Sequence, residues 1–250
     1  MIFGIDFPPI SHAVEWQTGP LGINKVVGLM LISAVLVFGF FYIAGRKQQL
    51  VPTGVQNIAE SAVDFIQDGI IAQTIGEEGM AWTPFLLTIF SFILVCNLWE
   101  IIPVVQMPVN ARIALPAFMA LMVYGIYHFI GIARQGFFGY LKSSLIPPGV
   151  PKAILPLLML IELITMMISK PLSLAVRLFA NMFAGHLLLI TFSVISATLW
   201  AAQPTIAILP FSFFLLIALT GFEILVAFLQ AFIFTILTGV YISQSMHADH

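Results

Sequence analysis

The chain has 250 residues, 60% of them hydrophobic and only 8% charged, with a formal net charge of −2. Soluble domains carry about 25% charged residues, and apolar runs this long exceed the core of one soluble domain, so the composition is that of an integral membrane protein. The net charge says little about partners, no basic cluster suggests nucleic acid, and a single cysteine, Cys96, excludes a disulfide framework or a multi-cysteine metal site within the chain.

Residues 1–25 begin MIFGIDFPPISHAVEW, with neither a basic n-region nor an apolar h-region. They read as a short irregular segment ahead of the first span, not as a signal peptide. The first span covers 26–45 and stops at Gly45, Arg46 and Lys47. Residues 54–73, GVQNIAESAVDFIQDGIIAQ, differ in kind. Val55, Ile58, Ala62, Phe65, Ile66 and Ile70 recur at helical spacing, and Gln56, Glu60, Asp64, Gln67 and Asp68 fill the rest. That pattern predicts an amphipathic helix on the membrane surface, its acidic face most simply solvated. The second span covers 84–102. Trp82 and Trp99 stand about 26 Å apart along a helix, which suits anchors at the two interfaces. The third span, 113–134, closes at Arg134.

Two longer apolar blocks follow, 153–200 and 205–245. The first, if wholly helical, is about 72 Å long against a hydrocarbon core about 30 Å thick. Each block is therefore either two spans with a turn or one steeply tilted helix. Pro156 and Pro171 in the first and Pro210 in the second are the only candidates for a kink, and the residues alone favour neither reading. The fold class is all-α, with about five membrane helices and one surface helix.

Alternate threading puts Arg46, Lys47, Arg134, Lys142 and Lys152 on one side, and only Lys25 and Arg112 on the other. The positive-inside rule then places the N-terminus outside and the C-terminus in the cytoplasm. The terminal HADH has too few ligands for a metal and reads as a solvated tail. No metal or cofactor is expected.

Polar residues inside apolar blocks are the informative ones, because hydrocarbon penalises each ionised group by a few kcal/mol or more. The first long block holds Glu162, Lys170, Ser173, Arg177, Asn181 and His186, and the second holds Glu223, Gln230 and Tyr241. Asn97 and Glu100 lie near the outer end of the second span, and His128 lies in the third. At 100° per residue, Asn181, Ser173 and Lys170 all fall within about 40° of Arg177, on a face shared with Ala180 and Ala184. Small residues there let another helix approach closely. His186 points about 180° away from that stripe, and Glu223, Ala227, Gln230 and Tyr241 line one face of the second block.

If the blocks run antiparallel with Arg177 level with Gln230, His186 lies about 13 Å further along and Glu223 about 10 Å back along the other helix, at nearly the same depth. Glu100 and Asn97 fall toward that outer side, and Glu162 and Ser173 toward the cytoplasm. Two polar patches thus flank a fixed cation. A His–carboxylate pair can pass protons near neutral pH, and the cation would interrupt a continuous proton wire. His128, with no matching partner, reads as structural, and Lys170 as a side chain that snorkels to the interface.

PLSLAVRLFANMFAGH at 171–186, QAFIFTILTGVYIS at 230–243 and CNLWEIIP at 96–103 strongly resemble subunit a of F-type ATP synthases. The likeness runs from the surface helix to the end of the chain. It implies that the long blocks are steeply tilted helices forming a hairpin against a rotating ring of c subunits. It implies further partners in b-type peripheral-stalk subunits and the rest of the ATP synthase complex. The resemblance implies a non-catalytic stator subunit of a cell inner (plasma) membrane.

Carried over, Arg177 matches the essential ring-facing arginine, and Asn181 and Gln230 match its polar neighbours. His186 and Glu223 match two outer half-channel positions, which family members fill with Glu and His either way round. Asn97 and Glu100 match outer-channel positions, and Ser173 an inner one. Glu162 resembles the inner acid, though its spacing to Arg177 varies by a residue within the family. A secondary transporter would carry inverted repeats and broken helices, and no internal repeat is visible. An intramembrane hydrolase built on Ser173 would lack a base in register.

Overall fold

The structure is a computed structural model that describes residues 24–46, 49–102, 105, 107–146, 150, 151, 154–201 and 209–246. The segment expected at residues 1–25 before Asn24, the cations Lys47 and Lys152, and the HADH tail lie outside the described residues. No strand occurs among the described residues.

The helix α1 spans Lys25–Arg46. The surface helix α2, Val55–Ile66, continues through a π-helical turn, Gln67–Ile71, and a last turn, Ala72–Thr74. Gly76, at φ 83°, ends it, and its N–H reaches back to the carbonyl of Ile71 at 2.9 Å. This is the left-handed closure that glycine adopts without strain. A 3₁₀ segment, Glu77–Trp82, leads into α3, Thr83–Leu98. After the 3₁₀ turn Val109–Ala111 come α4, Ala114–Gln135, and α5, Phe137–Leu145, hinged at Gly136 with φ 73°. The helix α6, Leu155–Ile164, passes through a π-helical turn, Thr165–Ser169, into α7, Lys170–Ala201, and α8 covers Leu209–Met246.

The alternative left open for the long blocks is resolved in favour of long helices. Residues 155–199 form one uninterrupted helical stretch, and α8 runs 38 residues. The prolines explain why neither breaks. Pro156 and Pro210 sit in first turns, where the missing N–H has no helical partner to lose. Pro171 follows the π-helical turn with only Lys170 between. Its ring would crowd the carbonyl of Met167 in a regular α-helix, and the wider turn relieves that clash. The second expected span is shorter as a helix: α3 ends at Leu98, and the chain turns through residues 99–102.

The chain divides into two compact units. One is Met1–Phe38, Ser91–Arg112 and Phe179–Ala231; the other is Gly39–Phe90, Ile113–Leu178 and Phe232–His250. The helices α1, α3, α7 and α8 contribute to both. Among the described cations, Lys25 and Arg112 belong to the first unit, and Arg46, Arg134, Lys142, Lys170 and Arg177 to the second.

In the first unit α7 and α8 run antiparallel in a fixed register. Gly185 lies against Glu223, and Ser196 hydrogen-bonds Ser212 at 2.6 Å. Eleven residues forward on α7 (185 to 196) match eleven back on α8 (223 to 212), as two straight neighbouring helices require. Trp99 donates from Nε1 to Ser33 Oγ at 2.7 Å, tying the end of α3 to α1. In the second unit Ile66, Ile70, Leu86, Val123, Leu174, Leu178 and Ile242 are fully buried. The surface helix is fastened there by Phe65, whose ring lies 5.5 Å from Phe90 and 5.8 Å from Phe232. Gly131 leaves room for the Tyr140 ring, which closes α5 onto α4.

Candidate functional site

The first unit gathers ionisable groups from α7, α8 and the turn that follows α3. Asn97, in the last turn of α3, is fully buried and uses both ends of its amide. Its Nδ2 donates to the Ala227 carbonyl at 3.2 Å, and its Oδ1 accepts from Asn110 Nδ2 at 2.6 Å. With Asn97 so engaged, the chain leaves the helix. The N–H of Glu100 bonds back to the Asn97 carbonyl at 3.2 Å, and that turn carries Glu100 inward. Its Oε1 lies 3.8 Å from His186 Nδ1, an ion pair when the imidazole is protonated and too long for a hydrogen bond.

From α8, Glu223 reaches the same place. Its carboxylate lies where a Cβ on Gly185 would be, so the glycine next to His186 is what admits it. Glu100 and Glu223 are close enough for their ionised forms to repel. All three groups are buried, and Glu100 Oε1 and Glu223 Oε2 have no hydrogen-bond partner among the described residues. Buried carboxylate oxygens without partners are uncommon in a purely structural core, because each leaves a desolvation penalty of about 1–3 kcal/mol uncompensated. An imidazole and two carboxylates gathered in one buried place can instead accept and hand on protons.

Gln230 is also buried in this unit, on the same face of α8 as Glu223 and Ala227. Asn181 belongs to it by sequence, but its side chain is exposed. The cluster includes two residues that the sequence reading did not single out. Asn110 lies in a loop, where a polar residue carries no signal. Gly185 acquires its role only from the approach of α8.

Arg177, Ser173 and Glu162 lie in the second unit. Along α7 the side chains Ser173, Val176, Arg177, Ala180, Asn181 and Ala184 are exposed, whereas Leu174, Ala175, Leu178, Met182, Gly185 and His186 are buried. The helix thus turns its cation outward on a strip of short side chains and keeps its imidazole inside. Among the described residues no carboxylate lies within ion-pair distance of the Arg177 guanidinium. Lys170 is half-buried and tied to α8 within the unit. Its Nζ donates to Gln244 Oε1 at 3.1 Å and lies 5.3 Å from the centroid of the Tyr241 ring. His128 donates from Nδ1 to the Tyr124 carbonyl, 2.9 Å away if that tautomer is taken, and packs among the rings of Tyr124, Tyr127 and Tyr140.

Among the described residues, five helical stretches are each long and apolar enough to cross a bilayer. With them stand a buried imidazole–carboxylate set and an outward-facing cation. This is a multi-pass membrane protein that keeps ionisable groups within its membrane domain. The sequence model of the family described as "ATP synthase A chain" matches residues 27–243, and the chain belongs to that family. The ATP synthase subunit a of Rhodococcus erythropolis is 42% identical over 249 residues, covering 97% of this chain and 88% of that protein. Subunit a of Frankia alni is 41% identical over 232 residues, covering 92% and 80%. Subunit a of Brucella canis is 39% identical over 233 residues, covering 92% and 91%.

Proposed function

We propose that this chain is the stator subunit a of an ATP synthase membrane sector, and that it supplies two offset proton half-channels to and from a rotating ring of c subunits. The observation that carries the reading is Arg177, a permanent cation on an exposed strip of α7 with no carboxylate at ion-pair distance among the described residues. Such a charge facing hydrocarbon is costly, so the strip calls for a partner that brings a carboxylate to it. Each ring subunit presents one in turn. Family membership supports the same assignment.

Protons enter from outside through Glu100, Asn97, Glu223 and His186 and reach a ring carboxylate. Once neutral, that carboxyl can turn into lipid, where its ionised form would be strongly disfavoured. After nearly a full rotation it meets the inner half-channel, lined by Ser173 and Glu162, and releases its proton to the cytoplasm. The carboxylate then passes Arg177, whose charge keeps it deprotonated. Asn181 and Gln230 flank that passage. Each proton moving down 100 mV releases about 2.3 kcal/mol, so several are pooled by rotation for each ATP. The N-terminus lies outside and the C-terminus in the cytoplasm, in a cell inner (plasma) membrane. The b-type stalk subunits hold the chain against the torque of the ring.

Mild detergent extraction tests the assignment. A ring of small c-type subunits and the soluble ATPase subunits are expected to purify with the chain. A chain that purifies alone, yet moves a solute when reconstituted, would exclude it.

The close approach at Gly185 gives a more local expectation. Gly185→Ala puts a methyl group where the Glu223 carboxylate lies. Displacing the carboxylate by about 1 Å is expected to slow proton flux through the assembled complex by about tenfold to 100-fold. The measurement is ATP-driven quenching of a pH dye in inverted vesicles, normalised to complex content.

A further inference from the structure

The π-helical turn Thr165–Ser169 changes which way Glu162 faces. At its end the Lys170 N–H bonds to the carbonyl of Thr165, five residues back instead of four. One extra residue is thereby taken into the turn, and everything N-terminal to it is rotated by about 100° relative to α7.

The burial pattern reports the same shift independently. Inward residues on α7 follow Leu174, Leu178 and Met182. Continued backward without interruption, that face would take in Met167. Instead Met166 is buried at 7% exposure and Met167 is 53% exposed. Beyond the turn the less exposed positions are Leu155, Leu158, Met159, Glu162 and Thr165, again at helical spacing. Glu162 stands on that inward side, half-buried between the exposed Ile161 and Leu163.

The angles give the consequence. In an unbroken helix Glu162 would stand about 60° from Arg177, on the outward edge of its strip and away from Lys170. With the extra residue it stands about 40° to the other side, within about 20° of Lys170. Electrostatic interaction between Glu162 and Lys170 accords with that placement. Lys170 in turn is fastened to Gln244 and Tyr241 of α8.

We infer that the Pro171-induced π-turn is a positioning device, which turns Glu162 from the outward side of Arg177's strip to its inward side, toward the Lys170–Gln244–Tyr241 cluster. There it serves proton release without competing for the arginine. The inference rests on the proposed inner half-channel.

The test uses the assembled complex in inverted vesicles, with ATP-driven proton pumping normalised to complex content. Glu162→Gln is expected to lower pumping by about tenfold or more. Inserting one alanine after Ile168, beside the extra residue the turn already holds, swings Glu162 back by about 100° to the outward side and is expected to lower pumping as far. Moving the acid one place within the inserted chain, by Glu162→Gln with Leu163→Glu, is expected to restore it. Deleting Ile168 together with Pro171→Ala removes the extra residue and its cause, and is expected to leave pumping close to that of the parent.

An inserted chain that pumps normally overturns the inference, and so does failure of the moved acid to restore pumping. The deletion arm decides the matter if the inserted chain does not assemble, and a deleted chain that assembles but does not pump also overturns it. If Glu162→Gln itself pumps normally, the assignment of Glu162 to the inner path falls as well. A normal loss in Glu162→Gln with no rescue sinks the positioning alone.

Discussion

Arg177→Ala is expected to abolish ATP-driven acidification of inverted vesicles, by about 100-fold or more, while the complex still assembles. Assembly is expected to survive because the side chain is exposed and makes no ion pair among the described residues. Its loss leaves no buried ion-pair partner uncompensated among the described residues. On the proposed function, what is lost is the fixed charge that holds a passing carboxylate in its ionised form and keeps the two half-channels from joining. Arg177→Lys is the informative comparison. An ammonium keeps a charge near the same position, but it is a compact ion that can lose its proton in an apolar setting, and it lacks the planar fork. Retained coupled pumping in the alanine variant would refute the central role given to this residue.

The second large effect is expected on the outer side. Replacing His186 and Glu223 together with leucine is expected to cut proton flux by about 10²- to 10⁴-fold, the range a positioned proton-transfer group supplies. The single variants are expected to fall nearly as far as the double, because groups that act as a unit do not contribute additively. Glu100 alone, left buried against two leucines, would have no imidazole partner at 3.8 Å. Flux through passive, ring-coupled membranes and ATP-driven pumping should fall together. Unchanged flux in the double variant would place the outer pathway elsewhere.

Much of this architecture can be read from the chain itself, for definite reasons. Spans announce themselves by length and by the cations that end them, such as Arg46 and Arg134. The surface helix shows its alternation of apolar and acidic faces. His186 and Glu223 stand out because a titratable group inside an apolar block is costly and needs a reason. The residues alone leave the two long blocks undecided, since a proline in sequence does not say whether it sits in a first turn, like Pro156, or behind a widened one, like Pro171. They also conceal groups whose meaning is tertiary. Asn110 reads as one more polar loop residue until it is found bonded to Asn97, and Gly185 reads as a helix-weakening residue until Glu223 is found against it. The facing of Glu162 is hidden for a third reason: counting at 100° per residue fails wherever the helix takes up an extra residue.

The strip around Arg177 also bears on wear and friction. Ser173, Ala180, Asn181 and Ala184 are short, and they frame the one long side chain on that part of α7. Long apolar side chains on two touching helices interlock as knobs in holes, and such a contact resists displacement. Short ones leave a shallow corrugation, with few contacts to break at each step and few rotamers to rearrange. For a subunit whose proposed partner moves past it in small increments, such a strip works as a bearing. It allows close approach to the guanidinium while keeping the mechanical barrier between successive positions low.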